Sequence, residues 1–245
     1  MRTITLSFSA VIAFFSIKGR ILMEILLDTA SISAIEKYND IYNIAGVTTN
    51  PVILAREGGE FLPTLYKIRE ITKDKQLHVQ VTASTSEEME REAEAIVKKL
   101  GKDVFIKVPV NEEGIKTIKT LKENGYNVTA TVVYTLQQAI FASSVGADYV
   151  APYFNHICDH IGDAAKVIGE MSQIFKTHNS NTKILAASFR NTTQIIQSIA
   201  SGAEAVTLSP DMLSSMMKIQ SVDTTISKFS KAWSDLYGEK KIYEL

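Results

Sequence analysis

From Met23 onward the chain alternates short β-branched runs with longer amphipathic stretches, and it does so eight times. Each pair takes roughly 20–30 residues, the length of a strand, a crossover helix and their turns. Strands are predicted at 24–28, 45–49, 77–82, 103–108, 127–132, 148–152, 183–188 and 204–208, and helices at 32–42, 61–73, 86–100, 111–124, 135–145, 161–178, 191–200 and 210–217. A further amphipathic segment, 221–236, follows the eighth unit. Right-handed crossovers put every helix outside the sheet, so eight such units imply an α/β chain folded as one (β/α)8 TIM barrel over 23–245, with an additional C-terminal helix. An open doubly wound sheet is the rival. It is weaker because Asp28, Thr29, Ala30 and Ser31 follow the first strand, where a glycine-rich dinucleotide loop would stand. Local punctuation agrees with the barrel: Gly101, Gly125, Gly146 and Gly202 sit just past predicted helix ends, and Thr85 with Glu88 forms an expected capping box.

The bulk composition narrows the partners. With 45% apolar residues in 245, the chain can build a core without disulfides or a structural metal. Lys and Arg number 26 against 27 Asp and Glu, so a net charge of −1 offers no basic field for nucleic acid and no polybasic membrane patch. The single cysteine, Cys158, fits a reducing compartment, and a cytoplasmic location is expected. Residues 1–22 outline a secretory signal loosely: Arg2, an apolar run from Ile4 to Ile17, then Lys18 and Arg20. They lack a small-x-small cleavage site, and the run is too short and too rich in Ser and Thr for a membrane span. We expect them to be an extension outside the fold.

The informative anomaly is Lys107, inside the apolar run 103–110 (DVFIKVPV). An isolated buried ammonium costs several kcal/mol, so the side chain must pair with a carboxylate, snorkel to a strand end, or lose its proton. A neutral amine at the mouth of a barrel is a nucleophile toward carbonyl carbon, and the Schiff base it forms is an electron sink for C–C cleavage or formation.

Five segments, 27–29 (LDT), 46–51 (GVTTNP), 106–110 (IKVPV), 149–153 (YVAPY) and 186–190 (AASFR), fall in order at predicted strand ends and resemble the transaldolase family, specifically its short branch that includes fructose-6-phosphate aldolase. The resemblance covers 23 to about 238 and implies a class I aldolase with no metal and no diffusible cofactor. It implies Lys107 as the Schiff-base lysine, Asp28 as a carboxylate for substrate hydroxyls and proton transfer, and substrate contacts from Thr49, Asn50 and Ser188. It also implies a catalytic water held by Gln80 and Thr131 beside Tyr153. Transaldolases of the longer type carry glutamate at the position of Gln80 and phenylalanine at that of Tyr153, so both residues favour the aldolase. Plainer roles exist for each: Asp28 as a helix cap or partner of Lys107, Asn50 before Pro51 as turn chemistry, Thr131 as a strand residue, Tyr153 as barrel filling, Gln80 as a group paired to backbone.

Phosphate recognition departs from the family pattern. Arg190 after the seventh strand matches a phosphate-binding cation, but His156 stands where the family usually has arginine, and histidine lacks the bidentate fork. The spacing in 155–160 (NHICDH) fits no standard zinc pattern and is read as a solvated loop entering the next helix. The expected reaction is cleavage of a ketose phosphate such as fructose 6-phosphate to dihydroxyacetone and glyceraldehyde 3-phosphate. Dihydroxyacetone transfer between sugar phosphates and a non-catalytic sugar-phosphate-binding barrel are the alternatives. The partners expected are a small sugar or sugar phosphate and other copies of the chain, a decamer being one ring size the family implies. The stripe Val222, Ile226, Phe229 and Trp233 would close the chain's own barrel or pack on a neighbour.

Overall fold

The computed structural model describes residues 23–245; the extension expected at 1–22 lies outside the described residues. Eight parallel strands close in sequence order, each bonded to the next and the eighth to the first. They are β1 (Glu24–Asp28), β2 (Gly46–Thr48), β3 (Gln76–Gln80), β4 (Phe105–Pro109), β5 (Asn127–Val133), β6 (Tyr149–Pro152), β7 (Lys183–Ala186) and β8 (Ala205–Leu208). The helices are α1 (Ile32–Ile41), α2 (Pro51–Glu57), α3 (Phe61–Thr72), α4 (Ser86–Leu100), α5 (Glu112–Glu123), α6 (Leu136–Ser144), α7 (Phe154–His160), α8 (Ala164–Thr177), α9 (Thr192–Ala200), α10 (Pro210–Met217) and α11 (Gln220–Tyr237), with a 3-10 turn at Ile242–Glu244. No helix among them is long and apolar enough to cross a membrane.

The strand pleat sorts the residues into two cores. Outward positions such as Val47, Leu77, Val79, Ile106, Val108, Val150 and Val206 are fully buried beneath the helices. Helix stripes meet them: Met89, Ala93, Ile96 and Leu100 recur every three to four residues on α4, and each large apolar side chain so buried contributes roughly 1.5–3 kcal/mol. Inward positions form a small second cluster of Leu26, Tyr149, Leu185 and Ala205 near the strand starts. Above that cluster the inward side chains turn polar, and there the barrel opens.

Sequence signals set many of the helix starts. Asn111, Asp163, Asn191 and Ser209 cap α5, α8, α9 and α10 through their side chains, and Thr135 with Gln138 forms a full capping box on α6. The box expected at Thr85 is half-formed: Thr85 caps Glu88 N–H, while the Glu88 carboxylate accepts the Thr85 hydroxyl at 3.0 Å instead of a backbone donor. Gly114 is required by close approach, since a Cβ there would lie 1.8 Å from the Pro109 carbonyl oxygen; the start of α5 thereby seats directly on the end of β4.

Three expectations are corrected. Residues 51–57 form helix α2: Asn50 caps it and Pro51 stands at its first turn, so the residues taken as turn chemistry are a helix start. Residues 154–160 are helix α7 rather than a solvated loop, anchored by buried Phe154, Asn155 and Ile157. The segment 221–236 is helical but does not close its own barrel, because no residue of α11 is buried and Val222, Ile226 and Phe229 lie exposed.

Candidate active site

Lys107 is the fourth-strand residue whose side chain enters the barrel, and it is 5% exposed. Its Nζ donates to the Thr49 carbonyl at 2.7 Å, and none of the ion pairs among the described residues includes it. Burial lowers its pKa from the ordinary lysine value, and the Asp28 carboxylate partly opposes that shift. Both structural alternatives therefore fall away: the lysine neither snorkels nor forms a carboxylate pair. One lone pair of a carbonyl leaves the amine free to reorient toward a ligand.

Lys107 lines a cavity of about 140 Å³ together with Asp28, Asn50, Thr131, Tyr153 and Ser188. These residues come from the ends of different strands or the loops that follow, as the barrel geometry directs. Asp28 accepts the Thr48 hydroxyl at 2.7 Å, and because that proton is spent, Thr207 donates in the 2.7 Å contact between the two threonines. Asp28 caps no helix; Ser31 stands at that position. Asn50 Oδ1 accepts from Ile53 N–H at 2.9 Å, which leaves its Nδ2 as a donor for a ligand. Capping and binding thus coexist in one amide.

Tyr153 Oη and Thr131 Oγ1 are 3.0 Å apart. Burial raises the Tyr153 pKa above the ordinary phenol value, the Thr131 bond lowers it, and Asp28 and Tyr134 raise it again, so the phenol is protonated near neutrality. The backbone around this pair is irregular. Val132 holds φ at 59°, a left-handed conformation that is a genuine outlier for a β-branched residue, where β5 shifts register against β6. Ser188 also has positive φ, 61°, and its Oγ lies 3.3 Å from His156 Nδ1. His156 stacks on Tyr134, with ring centroids 5.0 Å apart and planes 6° from parallel.

Other expected residues lie outside the cavity. Thr49 contributes its carbonyl to Lys107, while its hydroxyl donates to the His78 carbonyl at 3.1 Å. Gln80 is the register partner of Lys107 but lines a separate cavity of about 320 Å³ with Phe61, Leu62 and Ile96; its Oε1 is buried without a partner, so it is not paired to backbone. Arg190 is exposed and held by Asp159 through two bonds, Nη1 to Oδ1 at 3.2 Å and Nη2 to Oδ2 at 2.9 Å. Among the described residues no three His, Cys, Asp or Glu side chains group as a metal's ligands would.

Several site residues escaped the sequence reading: Thr48, Thr129 and Thr207 line the cavity, and Tyr134 stacks at its rim. The signal for the threonines was present, since each falls at an inward position of a strand by period-2 alternation with its neighbours. Tyr134 had none, because it follows the irregular end of β5.

Comparison with known proteins identifies the family. Residues 25–241 match the family described as Transaldolase/Fructose-6-phosphate aldolase. A protein of Streptococcus pneumoniae named "Probable fructose-6-phosphate aldolase" is 39% identical over 222 residues, 90% of this chain and 100% of that one. A "Probable transaldolase" of Brachyspira hyodysenteriae is 34% identical over 89% of this chain and 100% of its own length, and one of Clostridium kluyveri is 34% identical over 87% and 99%. Among solved structures, a mutant flavocytochrome b2 with benzoylformate superposes with a TM-score of 0.56 at 12% identity, covering 77% of this chain and 57% of that one, a likeness of fold alone.

Proposed function

The chain belongs to the transaldolase/fructose-6-phosphate aldolase family, an aldolase or transferase family of enzymes, and from that premise we propose that it is a class I aldolase cleaving a ketose phosphate such as fructose 6-phosphate. The observation that carries this reading is Lys107: a buried amine with no carboxylate partner, opening on a cavity it shares with a protonated phenol. Neutral Lys107 adds to the C2 carbonyl, and loss of water gives an iminium ion. The C4 hydroxyl proton passes to Tyr153 as the phenol's own proton moves on to solvent, the C3–C4 electrons flow into the iminium, and glyceraldehyde 3-phosphate leaves. Returning that proton to C3 of the enamine regenerates an iminium, which water hydrolyses to dihydroxyacetone and free Lys107. Asp28 binds substrate hydroxyls, Asn50 donates from Nδ2, and Thr131 orients the phenol.

Dihydroxyacetone transfer between sugar phosphates is the second reading, favoured by the relatives named as transaldolases. Tyr153 weighs against it, because a phenol that protonates the enamine releases dihydroxyacetone before a second aldehyde arrives. Incubation with fructose 6-phosphate and no acceptor aldehyde separates the two: release of free dihydroxyacetone is expected, and strict dependence on an added aldehyde contradicts the proposal. The phosphate rests on Arg190 and His156, of which Arg190 already holds Asp159, so affinity for the phosphate is expected to be modest and to rise several-fold in His156→Arg. We also propose a homo-oligomer, supported by the exposed apolar positions of α11 and measurable by light scattering.

A further inference from the structure

The irregular end of β5 rests on a single side chain. Ala130 pairs with Val150 and Val133 with Pro152, so the strand carries one residue more than β6 opposite it. Such a bulge interrupts the ladder, and the backbone groups around it need partners from elsewhere. Gln138, in the first turn of α6, supplies them. Its Oε1 accepts from the Tyr134 N–H at 2.8 Å and from the Thr135 N–H at 3.1 Å. Its Nε2 donates to the Val110 carbonyl at 2.9 Å and to the Val132 carbonyl at 3.4 Å. A primary amide has two N–H donors and two lone pairs on its oxygen, so each half is fully used and the partners fix which end is which. The capping box of α6 accounts for the Thr135 bond alone; the other three reach beyond the helix start.

Those three bonds join the strand of the amine to the strand of its proton-transfer partner. Val110 follows the end of β4, three residues after Lys107, and its own N–H donates to the Thr131 carbonyl at 3.0 Å. Val132 comes next after Thr131, and a left-handed β-branched residue persists only where its surroundings over-determine it. Gln138 does so by holding the Val132 carbonyl on one side and the Tyr134 N–H on the other. The side chains on either side of Val132 are the ones the site uses: Thr131 Oγ1, 3.0 Å from Tyr153 Oη, and the Tyr134 ring, stacked on His156. Gln138 is not among the residues that line the cavity, so whatever it does for the reaction passes through the backbone it holds.

We infer that Gln138 is a positioning residue for proton transfer: its amide locks the bulge of β5 onto the end of β4 and so holds Thr131 Oγ1 against the Tyr153 phenol beside Lys107. The inference rests on the aldolase proposal above, which gives Tyr153 its proton. The full chain is assayed for fructose 6-phosphate cleavage and, separately, for borohydride trapping of dihydroxyacetone. Gln138→Leu removes all four bonds at similar volume. Its kcat is expected to fall about tenfold, with KM and the yield of trapped adduct each within about twofold of the native chain. In the Tyr153→Phe background the same substitution is expected to cost less than about twofold, because the phenol hydroxyl it would misplace is already gone. Gln138→Glu keeps an acceptor for Tyr134 and Thr135 but has no donor for Val110 and Val132; it is expected to show the same pattern and carries the test should Gln138→Leu not fold. An unchanged kcat in a folded variant overturns the inference, as do equal losses in the two backgrounds or a fall in trapping that matches the fall in kcat. Trapping on the native chain separates the two proposals: absence of an adduct defeats the aldolase reading itself, whereas an adduct together with fully active Gln138 variants defeats only the role of Gln138.

Discussion

Two lysines enter this barrel from opposite ends, and their surroundings differ in every respect that governs reactivity. Lys183, at the start of β7, pairs with Glu24 and lies 5.6 Å from the centre of the Tyr149 ring. Its charge is matched, and 38% of its side chain still reaches water. Lys107, at the other end, is 5% exposed, touches a carbonyl, and sits over empty space. The floor spends its polar groups on one another, through Glu24, Tyr149, Gln76 and His78, whereas at the mouth the Lys107 amine and the Tyr153 phenol each hold one neutral partner and the Asn50 amide keeps its Nδ2 donor for a ligand. A charged residue in a strand thus has two stable outcomes, and the partner distinguishes them: paired charge is architecture, unpaired amine is chemistry.

Substituting each lysine by methionine is the sharpest way to break that contrast. Lys107→Met is expected to lower kcat by more than about a thousandfold, as loss of a covalent nucleophile does. Lys183→Met should keep kcat within about threefold while losing about 1–2 kcal/mol of stability in urea unfolding, because Glu24 is left without its counter-ion. Equal losses of kcat in the two variants would erase the distinction. Tyr153→Phe comes next: kcat should fall about a hundredfold while the borohydride-trapped adduct still forms, since the phenol moves protons and does not bond to carbon. Failure to trap would assign Tyr153 to Schiff-base formation instead.

Stability should also separate the lysines by sign. The folded pKa of Lys107 is depressed by burial, so the unfolded chain binds more protons and stability rises with pH through the window between that depressed value and the ordinary 10.5. Lys107→Met should therefore unfold about 1–2 kcal/mol harder than the native chain near neutrality, with the gain vanishing above pH 10.5. A gain that persists there would trace it to packing. The smallest effect is expected at Val132→Gly, which relieves a left-handed valine beside Thr131. A change in stability within about 1 kcal/mol, with kcat a few-fold lower as Thr131 loosens, would mark the strain as part of the site.

The barrel was legible because its signal is repeated: period-2 strands, helix stripes and capping residues all pointed to one closure. Lys107 was legible as an anomaly in an apolar strand, and Asp28, Asn50 and Tyr153 through the resemblance of their segments to the transaldolase family. What escaped reading depended on tertiary partners. Short α2 and α7 carry too few turns for a periodic stripe, and the commitment of Arg190 to Asp159 links residues 31 apart in sequence. His78 reads as an ordinary strand residue until Gln76 and Thr129 are seen on its two nitrogens. The threonines of the cavity floor are β-branched residues in strands, so propensity alone explains them, and only closure of the barrel turns them toward one space.

Reduction with borohydride in the presence of dihydroxyacetone, followed by peptide mass mapping, tests the central claim most directly. A single adduct on the peptide holding Lys107, with Lys183 unmodified, is the expected result. An adduct on Lys183 or another lysine, or none at all on the folded native chain, would contradict it.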